Sequence, residues 1–212
     1  MIRKIGLTGG IASGKSRVAE MLAGMLDCVH IDADEVCRSL LEPHAAGWQE
    51  FSRVFGLEYF TEDERINRPQ LRKDLFADED FRRKVNAVIH PLVRKTIIAD
   101  MDHIIGMRGN SRVLVEVPLL FEVGWEDLFD TVVVVYADHE TCLKRLMERD
   151  GVARSTADRE LQSQLDLSVK VMKADHVIDN SGMLPDTYNQ VEHLADLLSR
   201  NSAPHPSCFP GD

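Results

Sequence analysis

The sequence predicts an α/β fold: a parallel five-stranded sheet with helices on both faces. Three observations carry this. Apolar, β-branched runs alternate with helix-period patterns along the chain. One of these runs, T-V-V-V-V-Y at 131–136, is continuous, as expected of a strand buried on both faces. A glycine-rich loop also stands between the first strand and the first helix.

The elements follow in order. Residues 2–7 read as the first strand, and Val18, Met21, Leu22, Met25 and Leu26 mark a helix after the loop. A short second strand is expected at 28–31. A mostly helical stretch follows at 35–105, punctuated by Pro43, Pro69 and Pro91. Residues 112–117 read as the third strand, running into Pro118, and 131–136 as the fourth. Helices are predicted at 140–149 and 155–172, a fifth strand at 176–178, and an amphipathic helix at 184–198. From Ser199 onward, Pro204, Pro206 and Pro210 among Ser, Asn and Gly predict a disordered tail.

The loop carries the chemistry. Gly9-Gly10-Ile11-Ala12-Ser13-Gly14-Lys15-Ser16 fits G-x-x-x-x-G-K-[ST] in the strand–turn–helix context that this pattern requires. Its glycines let backbone N–H groups close around phosphate oxygens, and the helix N-terminus adds partial positive charge. Gly10, Ile11, Ala12, Ser13 and Gly14 are therefore the expected cradle of a nucleoside triphosphate. Lys15 is expected on the β- and γ-phosphates and the Ser16 hydroxyl on Mg²⁺. Arg17 either adds a cation near the phosphates or points outward from the helix.

Composition narrows the class. The 212 residues suffice for one α/β domain with an insertion, and 44% hydrophobic with 28% charged residues reads as globular. No apolar run is long enough for a membrane span. The chain opens on its first strand, so no leader is expected. The four cysteines form no C-x-x-C pair, which suits a reducing cytoplasm. A net charge of −10 argues against a general nucleic-acid binder. Within residues 65–95, however, nine basic side chains face four acidic ones. That surplus marks either a docking surface for a second anionic ligand or a solvated helix face laced with ion pairs.

Other motifs choose among users of such a loop. The guanine-reading N-K-x-D and the L-S-G-G-Q signature are both absent. Asp32-Ala33-Asp34 follows the second strand, where the carboxyl end of a parallel strand faces the ligand crevice. Asp34 there is placed to orient Mg²⁺ or to accept a proton from an attacking hydroxyl; alternatively, these acids cap the next helix.

I-G-L-T-G-G-I-A-S-G-K-S followed by I-D-A-D-E-V resembles the dephospho-coenzyme A kinase family. The resemblance continues through Asn67-Arg68-x-x-Leu71-Arg72, Ile89-His90-Pro91-Leu92 and Val117-Pro118-Leu119-Leu120-Phe121-Glu122. It then runs through Arg145 to Asp150, Gln164 and Ala174 to Asn180. It implies a P-loop kinase fold that phosphorylates the ribose 3′-hydroxyl of dephospho-CoA with ATP and Mg²⁺. The nucleotide-binding core would be 1–35 with 109–198. A helical acceptor domain would be inserted at 36–108, a lid would lie at about 140–158, and the tail at 199–212. Asp34 would be the base. Arg68, Arg72, His90, Pro118 and Leu119 would bind the acceptor, with His90 alternatively capping a helix end. Arg145, Arg149, Arg154 and Asn180 would serve ATP, the arginines alternatively forming exposed salt bridges. The alternatives are another small-molecule kinase on the same loop or, more remotely, a nucleotide-dependent switch. Ala12 departs from the family's usual glycine and is expected to fit undistorted if its φ is negative. Asn67 is expected to cap a helix that starts near Arg68.

Overall fold

The computed structural model describes residues 3–108 and 112–200. The strands are β1 (Lys4–Gly9), β2 (Val29–Asp32), β3 (Val113–Glu116), β4 (Thr131–Tyr136) and β5 (His176–Asp179). They form one sheet of order β2-β3-β1-β4-β5. β1 pairs in parallel with β3 and β4, and β4 with β5. With β1 central and the later strands placed to either side, the carboxyl end of β1 lies where an open parallel sheet binds ligands.

Nine α-helices are found among the described residues, with one 3₁₀ turn at Glu126–Leu128. They are α1 (Lys15–Leu26), α2 (Ala33–Leu40), α3 (Ala46–Phe55), α4 (Arg68–Ala77), α5 (Glu79–Arg108), α6 (His139–Asp150), α7 (Arg154–Gln162), α8 (Leu167–Lys173) and α9 (Leu184–Arg200). None is long and apolar enough to cross a membrane.

The chain divides into two compact units, one containing β1, β3, β4 and β5 and the other comprising Ile31–His103. In the sheet unit, Ile5 and Leu7 of β1, Leu114 of β3 and Val133 and Val135 of β4 project to one face. There they bury against Val18 and Leu22 of α1 and Val191, Leu194 and Leu198 of α9. Strand alternation sends Gly6 to the opposite face, where a Cβ would stand 2.7 Å from the Phe129 ring. Glycine there lets the ring lie against the strand.

The helical unit has an aromatic core. Phe51 is fully buried and meets Phe55, Tyr59 and Phe60, while Tyr59 stacks on Phe81. Asn67 Oδ1 accepts from the Gln70 N–H at 3.2 Å, capping α4 with Pro69 in its first turn, as the sequence predicts.

Three elements differ from expectation. Pro91 does not interrupt its helix: α5 is continuous, with Ile89, Val93, Ile97 and Met101 buried at a spacing of four. Packing along that stripe outweighs the one hydrogen bond a proline removes. The helix predicted at 155–172 is two, because the Asp166 side chain accepts the Ser168 N–H at 2.7 Å and starts α8 afresh. α9 runs to Arg200, past the predicted start of the tail, whose remaining residues, with Cys208, lie outside the described ones.

Two glycines test the packing. Gly6→Val should cost about 1–3 kcal/mol through overpacking against Phe129. Gly24 lies mid-α1, and a Cβ added there would meet nothing within 4 Å. Gly24→Ala should therefore gain about 0.5–1 kcal/mol. Urea unfolding of both variants checks this, and equal midpoints would contradict the assigned packing.

Candidate active site

The loop leaves β1 at Gly9 and enters α1 at Lys15, with Gly14 as N-cap at φ 89°. A turn closes it, the Ser13 N–H donating to the Gly10 carbonyl at 3.3 Å. Lys15 Nζ folds back to donate to the same carbonyl at 2.9 Å, so the ammonium stands over the cradle. The N–H groups at the start of α1 lack intrahelical acceptors, which makes this end an anion site.

The expectation for Ala12 fails. Its φ is 59°, in the left-handed region, at a cost of about 1–2 kcal/mol for an L-residue. The tight turn demands that conformation. Part of the cost is offset by packing, since Ile11 and Ala12 lie against the apolar cluster of Leu143 and Leu146 in α6 and Ala157 in α7. The loop is therefore attached to the helices that carry the lid arginines.

Asn180, just past β5, holds the loop from the other side. Its Nδ2 donates to the Ser13 carbonyl at 2.7 Å, and its Oδ1 accepts from Thr187 Oγ1 at 2.8 Å. An amide so engaged braces the loop. Arg145 Nη2 donates to the Asn180 carbonyl at 2.9 Å, while its buried Nη1 has no hydrogen-bond partner. Arg145, Asn180, Gly14, Arg17, Gly182 and Leu184 line a cavity of about 270 Å³. An orphaned guanidinium nitrogen beside the phosphate loop fits a polar ligand there. The Ile11 N–H is turned away to Gln164 Oε1 at 3.1 Å.

Arg149 and Arg154 are elsewhere. Arg149 forms a two-pronged pair with Asp150 at 2.7 and 2.9 Å, and Arg154 pairs with Glu140. Both are the exposed salt bridges that formed the alternative reading, and neither lines the cavity.

The structure adds one acid that sequence reasoning missed. Glu116 ends β3 opposite Leu7 of β1, is 3% exposed, and accepts the Ser16 hydroxyl at 2.8 Å. Burial pushes its pKa up. The contacts of His30 and Ser16 and the charge of Lys15 outweigh this and hold it below the ordinary glutamate value. His30 Nε2 stands 3.4 Å from Oε2, and that oxygen is buried without a hydrogen bond of its own. An ionised carboxylate with one spare oxygen beside a serine hydroxyl suits a hard cation held mostly by phosphates and water. The signal was legible: one acid in the apolar strand R-V-L-V-E-V, at its carboxyl end.

In the helical unit, Asp32 and Asp34 divide their roles. Asp32 Oδ1 takes the Asp34 N–H at 2.8 Å and so caps α2, with Asp34 in the first turn. Arg65, Arg68 and Asn67 line a cavity of about 480 Å³ with Glu42 and Thr61. Glu42 neutralises both arginines, at 3.0 Å from Arg65 and 3.9 Å from Arg68. Arg72, one turn along α4, is not among the lining residues. Within α5, Arg82 pairs with Glu79 and Arg83 with Asp80, so that part of the basic segment is a solvated, paired face. His90 lies mid-α5 and caps no helix end; burial lowers its pKa and favours the neutral ring. Pro118 and Leu119 begin the turn after β3, in the sheet unit, where the Pro118 carbonyl accepts Thr8 Oγ1 at 3.2 Å.

Residues 3–186 match the dephospho-CoA kinase family. A dephospho-CoA kinase of Bacillus licheniformis is 40% identical over 195 residues, 92% of this chain and 96% of that protein. One from Desulfotalea psychrophila is 37% identical over 191 residues, 89% of this chain and 94% of that one. The solved structure of the dephospho-CoA kinase from Campylobacter jejuni aligns with a TM-score of 0.70 at 29% identity, covering 96% of this chain and 100% of that one. The match extends through both the phosphate loop and the helical unit, and the chain belongs to the dephospho-CoA kinase family.

Proposed function

We propose that the protein transfers the γ-phosphoryl group of ATP to the ribose 3′-hydroxyl of dephospho-CoA, giving CoA and ADP. The observation that carries this reading is the match over residues 3–186, which includes the acceptor-side helices as well as the loop. The loop geometry supports the donor half of the reaction.

ATP lies with its phosphates in the turn between Gly10 and Lys15 and its adenosine toward the Arg145–Asn180 cavity. Lys15 exchanges the Gly10 carbonyl for phosphate oxygen and neutralises charge that grows in transfer. Ser16 and Glu116 would hold the Mg²⁺ that accompanies ATP, which would supply charge neutralisation to the phosphates. Asp34 takes the proton of the attacking hydroxyl, because Asp32 is already committed as a cap. The phosphoryl group passes directly between the two oxygens, and no protein nucleophile is needed. Arg68 and Arg72 bind the diphosphate of the acceptor, Arg68 after release from Glu42; His90 in the helical unit and Pro118 and Leu119 in the sheet unit are further acceptor-binding residues. Arg149 and Arg154 reach the phosphates by leaving Asp150 and Glu140 when the lid closes. Exchanging one carboxylate for phosphate costs such arginines little.

Incubation with Mg-ATP and a panel of alcohols tests the function. ADP release should require dephospho-CoA, and CoA should appear by mass. Release driven equally by nucleoside monophosphates or sugars would move the protein to another kinase class.

Asp34→Asn should lower kcat by roughly a hundredfold or more, with ATP affinity within about threefold of the parent. Asp32→Asn keeps an N-cap acceptor and should leave kcat nearly unchanged, whereas Asp32→Ala should cost α2 about 1 kcal/mol. A larger kcat loss for the Asp32→Asn variant would reverse the assignment.

Glu116→Gln keeps an acceptor for Ser16 but removes the charge. It should raise the Mg²⁺ concentration for half-maximal rate about tenfold. An unchanged Mg²⁺ titration would remove Glu116 from the metal site.

A further inference from the structure

Lys170 has no part in this scheme, yet it is a fully buried cation. Its Nζ reaches Glu122 Oε1 at 2.8 Å, the Pro118 carbonyl at 3.1 Å and the Gly9 carbonyl at 3.5 Å. An ammonium has three N–H groups, and three acceptors from two segments, the end of β1 and the turn at 118–122, meet them. Glu122 also accepts the Leu165 N–H at 3.1 Å. Buried ion pairs are weak stabilisers, and apolar residues of similar volume often do as well or better. Stability alone is therefore a poor reason for a lysine here.

The position of its acceptors supplies a better one. Gly9 is the last residue of β1 and opens the phosphate loop. Two further contacts to that loop come from the same stretch of chain as Lys170. Gln164 Oε1 takes the Ile11 N–H at 3.1 Å, and Leu167 Cδ2 lies 3.5 Å from where a Cβ on Gly10 would stand. The backbone of Gly9 and of Ile11 is bonded to Lys170 and Gln164, and Leu167 lies beside Gly10 between them. The next residue is Ala12, at its unfavourable φ of 59°.

We propose that Lys170 is a positioning residue of the phosphate loop. With Gln164 and Leu167 it fixes residues 9–11, so that the strained turn at Ala12 keeps its nucleotide-binding shape before ATP arrives. The hold reaches the donor loop through Gly9 and the turn after β3 through Pro118 and Glu122. It also joins the loop to the segment that follows α7, so the loop and the base of the lid share one anchor. This inference rests on the reading of the loop as the ATP site.

The test separates positioning from mere folding. Lys170→Met strands Glu122 and should lower the thermal midpoint. The double variant Lys170→Met with Glu122→Gln removes the stranded charge, keeps an acceptor for Leu165, and should recover the midpoint. ATP affinity, measured calorimetrically without acceptor, should stay roughly tenfold weaker in the double variant, the scale of one lost charge-assisted hydrogen bond. The KM for dephospho-CoA should rise less than ATP affinity falls, since Lys170 also holds the Pro118 carbonyl. Gln164→Leu should weaken ATP severalfold independently. Adding Ala12→Gly to the double variant should restore part of the affinity, since glycine adopts this φ unaided. Recovery of ATP affinity together with the midpoint would overturn the proposal, as would an equal rise in the KM for dephospho-CoA. Should neither lysine variant fold, unchanged ATP affinity in Gln164→Leu overturns it. CoA formation by the parent protein tests the function itself, so failure of the two ideas is distinguishable.

Discussion

Everything at this site depends on keeping a strained backbone turn in one shape. A loop that binds phosphate with its N–H groups must curl tightly between a strand and a helix, which forces left-handed φ values at positions such as Ala12 and Gly14. Such a turn is a local free-energy cost and persists only when its surroundings over-determine it. Here the surroundings are identifiable. Asn180 grips the Ser13 carbonyl, Lys15 the Gly10 carbonyl and Gln164 the Ile11 N–H, while Ile11 and Ala12 pack on the α6–α7 cluster. The fold supplies these anchors from β5, α1 and the segment before α8, all converging at the carboxyl end of the central strand.

Electrostatics follow the same arrangement. Lys15, Ser16 and Glu116 meet where the loop becomes α1. The carboxylate stays ionised despite burial, because two polar neighbours and one cation surround it. Several arginines are paired with carboxylates: Arg68 and Arg65 with Glu42, Arg149 with Asp150, and Arg154 with Glu140. Exposed pairs of this kind contribute little to stability, which leaves these cations cheap to redeploy onto phosphate.

Much of this was legible in the sequence, for physical reasons that differ by element. The loop, β4 and the α4 cap are local signals: a fixed spacing, a continuous β-branched run, and Asn before Arg-Pro. The sign of φ at Ala12 was not legible, because no neighbour in sequence reports the turn that imposes it. The continuity of α5 through Pro91 depends on a tertiary stripe, and the break at Asp166 on a cap that competes with a helical pattern. Glu116 had a local signal that went unread, an acid at the end of an apolar strand. Lys170 had none, since a lysine in an amphipathic helix looks exposed until its three acceptors, distant in sequence, are brought to it.

Direct transfer between ATP in this loop and the acceptor hydroxyl is the central claim, and its stereochemistry tests it most directly. ATP made chiral at the γ-phosphorus with oxygen isotopes should yield CoA whose 3′-phosphate has inverted configuration, as a single in-line displacement requires. Retention would reveal a phosphorylated protein intermediate and contradict the roles given to Asp34 and Lys15. Label appearing only as inorganic phosphate would contradict the transfer itself.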